Sequence, residues 1–122
     1  MAARPGALIL VVDDDIDLAE TICDALRLRG YAAVACASAG EAIAQLEARV
    51  FELLLSDISM PGMSGYDLLK QVRDRWPSLP SILMTAMQGG LPPSRGDMMA
   101  TVLHKPLSFD ELVAAIEAAL ER

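Results

Sequence analysis

An α/β fold built on a five-stranded parallel sheet with helices on both faces is what this sequence predicts, and three observations carry it. Short apolar runs, ALILVV (7–12), AAVACA (32–37), LLLSD (53–57), SILMT (81–85) and TVLHK (101–105), alternate with stretches whose apolar residues recur at helical spacing. The three leucines of LLLSD show no polar alternation, as a strand covered on both faces requires. Capping and stop residues stand between the two kinds of segment. Right-handed crossovers then place helices on either side of one doubly wound sheet.

The elements follow in order. ALILVV forms the first strand, and after Asp13 to Asp15 the residues Leu18, Ile22, Cys23 and Leu26 keep helical spacing until Gly30, a helix stop. AAVACA is a weaker second strand. Ser38 and Glu41 form a capping box for a helix that buries Ile43 and Leu46 and runs to about Arg49. LLLSD, the third strand, ends in an acid, with Pro61, Gly62 and Gly65 close behind. Ser64 caps a third helix whose inward face carries Leu68, Leu69, Val72 and Trp76, and PSLP (77–80) ends it. SILMT is the fourth strand. The stretch QGGLPPSRGDMM (88–99) is dense in helix breakers, so the fourth helix is expected to be short or irregular and residues 87–99 the most mobile part of the domain. TVLHK is the fifth strand, and Ser108 with Glu111 forms a capping box for a last helix burying Phe109, Leu112, Val113, Ile116 and Leu120.

Length and charge narrow the function. The 122 residues suffice for one core but not for a core plus a separate output domain, so residues 1–122 are expected to form a single domain. A net charge of −7 disfavours direct binding to nucleic acid, whose affinity comes from lysine and arginine neutralising phosphates. ALILVV is too short to span a bilayer and MAARPG lacks a signal-peptide layout, so a cytoplasmic location with no membrane association is expected. Cys23 and Cys36 have no Cys-x-x-Cys spacing and read as core thiols. Met84, Met87, Met98 and Met99 read as core or interface filler.

In an open parallel sheet, ligands bind beyond the carboxyl ends of the strands. Asp13 and Asp14 end the first strand and Asp57 ends the third, so three carboxylates should meet on one edge. Like charges in a partly desolvated cleft raise one another's pKa, and such a cluster calls for positive charge. A hard divalent cation with oxygen ligands fits, and Mg²⁺ keeps room in its shell for water and phosphate. Lys105 at the end of the fifth strand adds a second positive charge, and Thr85 at the end of the fourth adds a hydroxyl. With the metal, these charges balance to about zero, and the site can accept a phosphoryl group. Asp57 is the nucleophile in this reading, forming an acyl phosphate by a transfer that needs positioning and charge neutralisation more than an added base.

The motifs LVVDDD, LLLSDISMPGMSG, MTA and HKP, each at a strand's carboxyl end and in this order, resemble the response-regulator receiver domain, the CheY-like family of two-component signalling, over essentially the whole chain. The resemblance implies a flavodoxin-like sheet of order 2-1-3-4-5 and a single receiver domain. It implies phosphorylation at Asp57, with Asp13, Asp14, Asp57 and the Ser59 carbonyl holding Mg²⁺. It implies phosphate binding by Thr85, Ala86 and Lys105, of which Thr85 and Lys105 act with Asp57 in the chemistry, and a cis peptide bond before Pro106. A histidine kinase or histidine phosphotransfer protein would donate the phosphoryl group. A downstream protein partner, or an effector domain missing from this chain, would receive the signal. On this reading the chain is no enzyme beyond catalysing its own phosphorylation and dephosphorylation.

Two other functions compete. A haloacid-dehalogenase-like phosphohydrolase would use Asp13 as nucleophile and Asp15 as acid, but Gly-Thr does not follow the second acid and no late acidic pair appears. A pseudo-receiver, binding partners without phosphorylation, would be expected to lack one of the five site residues, and all five are present. Asp15, the alternative metal ligand, stands where an acid caps a helix. His104 reads as a partly exposed edge-strand residue rather than a phosphohistidine. Two places depart from the family pattern: Val102 stands three residues before the lysine, where the family commonly has Tyr or Phe, and the breaker-dense stretch 88–99 stands where the family normally fits a full fourth helix.

Overall fold

Five parallel strands and four helices are formed by residues 6–86, 101–106 and 108–121, the residues that the computed structural model describes. In chain order they are β1 (Leu8–Val12), α1 (Ile16–Leu28), β2 (Ala32–Cys36), α2 (Ala39–Ala48), β3 (Leu53–Asp57), α3 (Gly65–Arg75), β4 (Ser81–Thr85), β5 (Thr101–His104) and α4 (Phe109–Leu120). The sheet order is β2-β1-β3-β4-β5, with every pairing parallel, as expected. The short or irregular fourth helix and the mobile segment expected over 87–99, with Met87, Met98 and Met99, lie outside the described residues.

Alternation along the strands sorts the core into layers. Ile9 and Val11 of β1, Leu53 and Leu55 of β3, and Ile82 and Met84 of β4 point to the face covered by α1 and α4, where Ile22, Leu26, Leu112 and Ile116 meet them. Leu10, Val12 and Leu54 point the other way, against Ala42 and Leu46 of α2 and Leu68 and Val72 of α3. All five residues of β3 are buried. A strand covered on both faces has no use for polar alternation, which is why LLL reads as it does. A smaller cluster of Ile58, Leu69 and Leu83 takes in the half-buried Val102 and Tyr66.

The helices begin at side-chain caps. Asp15, Ser38, Ser64 and Ser108 each accept a hydrogen bond from the main-chain N–H three residues on. Ser64 and Asp67 complete a reciprocal capping box. At α2 the pattern differs from expectation, because the Glu41 carboxylate reaches back past Ser38 to the Ala37 N–H, at 3.2 Å. Gly30 ends α1 with φ of +97°, a left-handed conformation that glycine adopts without steric cost. Two aromatic residues are less buried than expected. Trp76 is the half-buried C-cap of α3, with the Arg75 guanidinium 4.4 Å from its ring centre, and Phe109 is half-buried under Arg29 at 4.9 Å. Met84, Cys23 and Cys36 are buried, and burial pushes both thiols up to about 11.

Truncation inside the central strand should be far more damaging than truncation on the surface. Leu55→Ala empties a fully buried position and is expected to cost roughly 2–5 kcal/mol. Leu28→Ala, at a side chain 89% exposed, should change stability by less than about 0.5 kcal/mol. Urea denaturation of the two variants checks both, and equal effects would contradict the layer assignment.

Candidate functional site

The carboxyl edge of the sheet is where the polar residues of the core collect. Asp13 follows β1 directly, Asp57 ends β3 and Thr85 ends β4, and with Ser56 they are the buried polar residues of the described chain. Their positions follow from strand register. Val12 pairs with Ser56, so the next residues, Asp13 and Asp57, emerge side by side, and Asp57 pairs in turn with Met84, next to Thr85. Asp13 is 1% exposed, Asp57 5% and Thr85 0%. Asp14 is exposed. Oxygens of Asp13, Asp14 and Asp57 lie within 4.8 Å of one another, the three-carboxylate group expected from the sequence.

Lys105 completes the cluster. Its main-chain N–H donates to the Thr85 carbonyl at 2.7 Å, which fixes the residue beside β4. Its ammonium donates to Asp13 Oδ2 at 2.7 Å and stands 3.5 Å from Asp57 Oδ2. Its nearer partner is therefore Asp13. Sequence reasoning missed this pairing, because it depends on the reach of one side chain among three carboxylates. The peptide bond between Lys105 and Pro106 is cis, as the resemblance implied.

Further constraints hold the two buried aspartates. Asp13 donates its N–H to the Cys36 carbonyl at 3.0 Å, and its Oδ1 accepts from the Asp15 N–H at 3.0 Å. Asp15 itself is the N-cap of α1 through Leu18 N–H at 3.2 Å, and is not part of the carboxylate group. Beyond Asp57 the chain turns tightly: Ile58 donates to the Met84 carbonyl and Gly65 donates to the Ile58 carbonyl, each at 2.8 Å. A Cβ on Gly65 would collide with the Asp57 carbonyl oxygen and come within 2.8 Å of Ile58 Cα, so only glycine lets α3 start this close to the strand end. The sequence displayed Gly65 as a turn residue, but not this close approach.

Electrostatics follow from burial. Burial is the largest influence on Asp57 and raises its pKa, and Asp13 raises it further, while Lys105 and the Ser59 N–H favour the carboxylate without reversing the shift. Lys105 is depressed by its own burial, but the hydrogen bond and charge of Asp13, with Asp57 behind them, raise its pKa overall. The donor set is all oxygen and rich in charge, which fits a hard divalent cation. Ser59, two residues beyond Asp57, and Ala86, next to Thr85, are exposed. His104 is an exposed residue of the edge strand β5.

A five-stranded doubly wound sheet of this order, with an acidic cleft and one lysine at its carboxyl edge, is the flavodoxin-like fold of CheY-like proteins. Residues 9–117 match the response regulator receiver domain, and the chain belongs to that family. It is 37% identical over 123 residues to the DNA-binding transcriptional regulator NtrC of Salmonella typhimurium, covering 93% of this chain and 24% of that protein. The chain thus spans about a quarter of that relative's length. A CheY-like receiver domain protein from Methanospirillum hungatei superposes with a TM-score of 0.87 at 29% identity, covering 95% of this chain and 94% of the other. The response regulator TrrA of Thermotoga maritima, solved in complex with Mg²⁺ and BeF, gives 0.82 at 28% identity over 93% of this chain and 99% of that one.

The raised pKa of Asp57 has a measurable consequence. Between the ordinary carboxylate pKa, ~3.9, and the raised native value, the native state binds this proton more tightly than the unfolded chain. Stability therefore falls as pH rises through that window, and the penalty is fully present above it. Asp57→Asn removes the penalty, while Lys105 keeps its nearer partner Asp13. In metal-free buffer at neutral pH the variant should melt above wild type, with the gap closing below about pH 4. Thermal melts against pH check this, and a variant less stable than wild type at pH 7 would contradict it.

Proposed function

We propose that Asp57 accepts a phosphoryl group from a histidine kinase or histidine phosphotransfer protein in a Mg²⁺-dependent reaction. On this proposal the resulting change in shape acts on a downstream protein partner or on an effector domain of a longer protein. The observation that carries the reading is the placement of Asp57, buried at a strand end beside Asp13 and Asp14 and 3.5 Å from the Lys105 ammonium. Membership of the receiver family and the TrrA complex with Mg²⁺ and BeF support it.

In the proposed reaction an Asp57 carboxylate oxygen attacks phosphorus. The bond from phosphorus to the donor's imidazole nitrogen breaks, and the electron pair leaves with the imidazole, which takes a proton from solvent. Asp57 must be ionised to attack, and Lys105 and the Ser59 N–H favour that form against the effect of burial. Asp13, Asp14 and Asp57, with the Ser59 carbonyl, would hold Mg²⁺, which neutralises charge on the phosphoryl oxygens. Thr85, the main chain at Ala86 and the Lys105 ammonium bind those oxygens. Turnover is confined to the chain's own phosphorylation and dephosphorylation. A net charge of −7 supports protein partners rather than direct nucleic-acid contact, and two buried free cysteines suit a reducing cytoplasm. Among the described residues no helix is long and apolar enough to cross a membrane.

The phosphohydrolase reading needs Asp15 as an acid serving Asp13, and Asp15 is instead engaged in capping α1. Incubation with acetyl phosphate and Mg²⁺, read by intact mass, should add one phosphoryl group to wild type and none to Asp57→Asn. Label retained in Asp57→Asn at wild-type level would sink the assignment, and steady release of phosphate through Asp13 would favour the hydrolase. Asp14→Ala should weaken Mg²⁺ binding by about tenfold or more, ~1.4 kcal/mol, in a metal titration.

A further inference from the structure

At the amino edge of the sheet, away from Asp57, lies a groove of about 1000 Å³. Its walls are the ends of α2 and α3, the segments leading from them into β3 and β4, and the last turns of α4. Five-residue strands separate it from the carboxylates by roughly 15 Å. Its floor is apolar: Phe51 is buried, Trp76 is half-buried, and Val50 is a large apolar side chain left 88% exposed. Its rim is basic. Arg49 stands 5.8 Å from the Phe51 ring centre, Arg75 stands 4.4 Å from that of Trp76, and Arg73 lines the groove beside them. These are three of the seven lysines and arginines among the described residues, in a chain of net charge −7. The two glutamates of the groove are engaged, Glu47 with Arg75 at 2.8 Å and Glu52 with the Leu8 N–H at 3.2 Å. The carbonyl ends of α2 and α3 offset about half a charge each, which leaves the arginine rim positive.

We propose that this groove docks a segment of a partner protein that is acidic and carries aliphatic or aromatic anchor side chains. An exposed valine beside a half-buried tryptophan is apolar surface that such an anchor takes out of water. Guanidinium groups present paired, planar N–H donors, so carboxylates flanking the anchor meet Arg49 and Arg73 in bidentate fashion. Stacking on the rings already restricts Arg49 and Arg75, which lowers the side-chain entropy lost on binding. Repulsion between two acidic proteins is screened beyond about 8–10 Å at physiological salt, so the local arginines and not the net charge decide the contact. Nucleic acid, which the net charge disfavours, is the poorer match. A partner in the groove leaves the carboxyl edge open, so it docks without competing with a phosphoryl donor at Asp57.

Trp76 is the one tryptophan of the chain, so its fluorescence reports on the groove directly. The probe is a short synthetic peptide in which aspartate alternates with leucine and phenylalanine, titrated into the full chain at low ionic strength. A saturable change with a Kd of about 100 μM or tighter is expected. The same peptide with lysine for aspartate, or with serine for leucine and phenylalanine, should bind about tenfold or more weakly, and so should the acidic peptide to the double variant Arg49→Glu/Arg73→Glu. Should that variant fail to fold, Arg49→Gln and Arg73→Gln singly should each weaken binding by about threefold or more. No saturable change, equal binding of the lysine peptide, or binding unmoved by the arginine substitutions overturns the proposal. Tighter binding of a single-stranded oligonucleotide than of the acidic peptide overturns it as well. Labelling of Asp57 by acetyl phosphate should be unchanged in the folded arginine variants, and it tests the phosphoryl reading separately from the groove.

Discussion

Asp13 and Asp57 are buried side by side at the ends of neighbouring strands, and a parallel ladder gives them no freedom to move apart. The pairing of Val12 with Ser56 fixes their spacing, and the apolar layers on both sides of β1 and β3 fix their depth. Shifting either strand by one residue would turn Ile9, Val11, Leu53 and Leu55 to the wrong face, so the core itself enforces the meeting of two like charges. Among the described residues, several groups at this edge of the sheet offset part of that repulsion. Lys105 supplies an ammonium to both carboxylates, and main-chain N–H groups of Asp15 and Ser59 supply dipoles.

The compensation is incomplete. Among the described residues three carboxylates meet and one lysine reaches two of them, and burial with the neighbouring charge still raises the pKa of Asp57. A fold that keeps such a site gives up stability there, as functional sites commonly do, and recovers it from the fully buried leucines of β3 and the caps of its helices. The same shortage of positive charge makes the edge receptive to a cation. The charge that burdens buried Asp57 is thus the same charge that the proposed phosphoryl chemistry would draw on.

The residues visible in the sequence as candidates differ in how fully their roles could be read there. Strand positions, helix caps at Asp15, Ser38, Ser64 and Ser108, and the convergence of Asp13, Asp14, Asp57, Thr85 and Lys105 follow from periodicity and chain order, which are local or topological properties. The reach of Glu41 to Ala37 and the half-exposure of Trp76 and Phe109 do not, because they depend on which rotamer packing leaves open. The collision awaiting any Cβ on Gly65 depends on the path of the main chain between Asp57 and α3. The preference of Lys105 for Asp13 over Asp57 is of the same kind, since 2.7 Å and 3.5 Å separate two partners that chain order makes equivalent.

Val102 bears on how events at this edge reach the rest of the molecule. It is half-buried, packed against the cluster of Ile58, Leu69 and Leu83, and it carries no ring that could turn between two positions. An aromatic rotamer change at that position is therefore not available to this chain. What does connect the site to its surroundings is main chain and charge. Lys105 is bonded through its N–H to the Thr85 carbonyl, Thr85 is paired in register with His104, and Ile58, next to Asp57, is bonded to the Met84 carbonyl. The main chains of Lys105 and of the buried hydroxyl residue are thus joined by one 2.7 Å hydrogen bond. The residue that carries the site's positive charge is therefore held by its main chain against the end of β4, while its ammonium reaches Asp13 and Asp57 through the side chain alone.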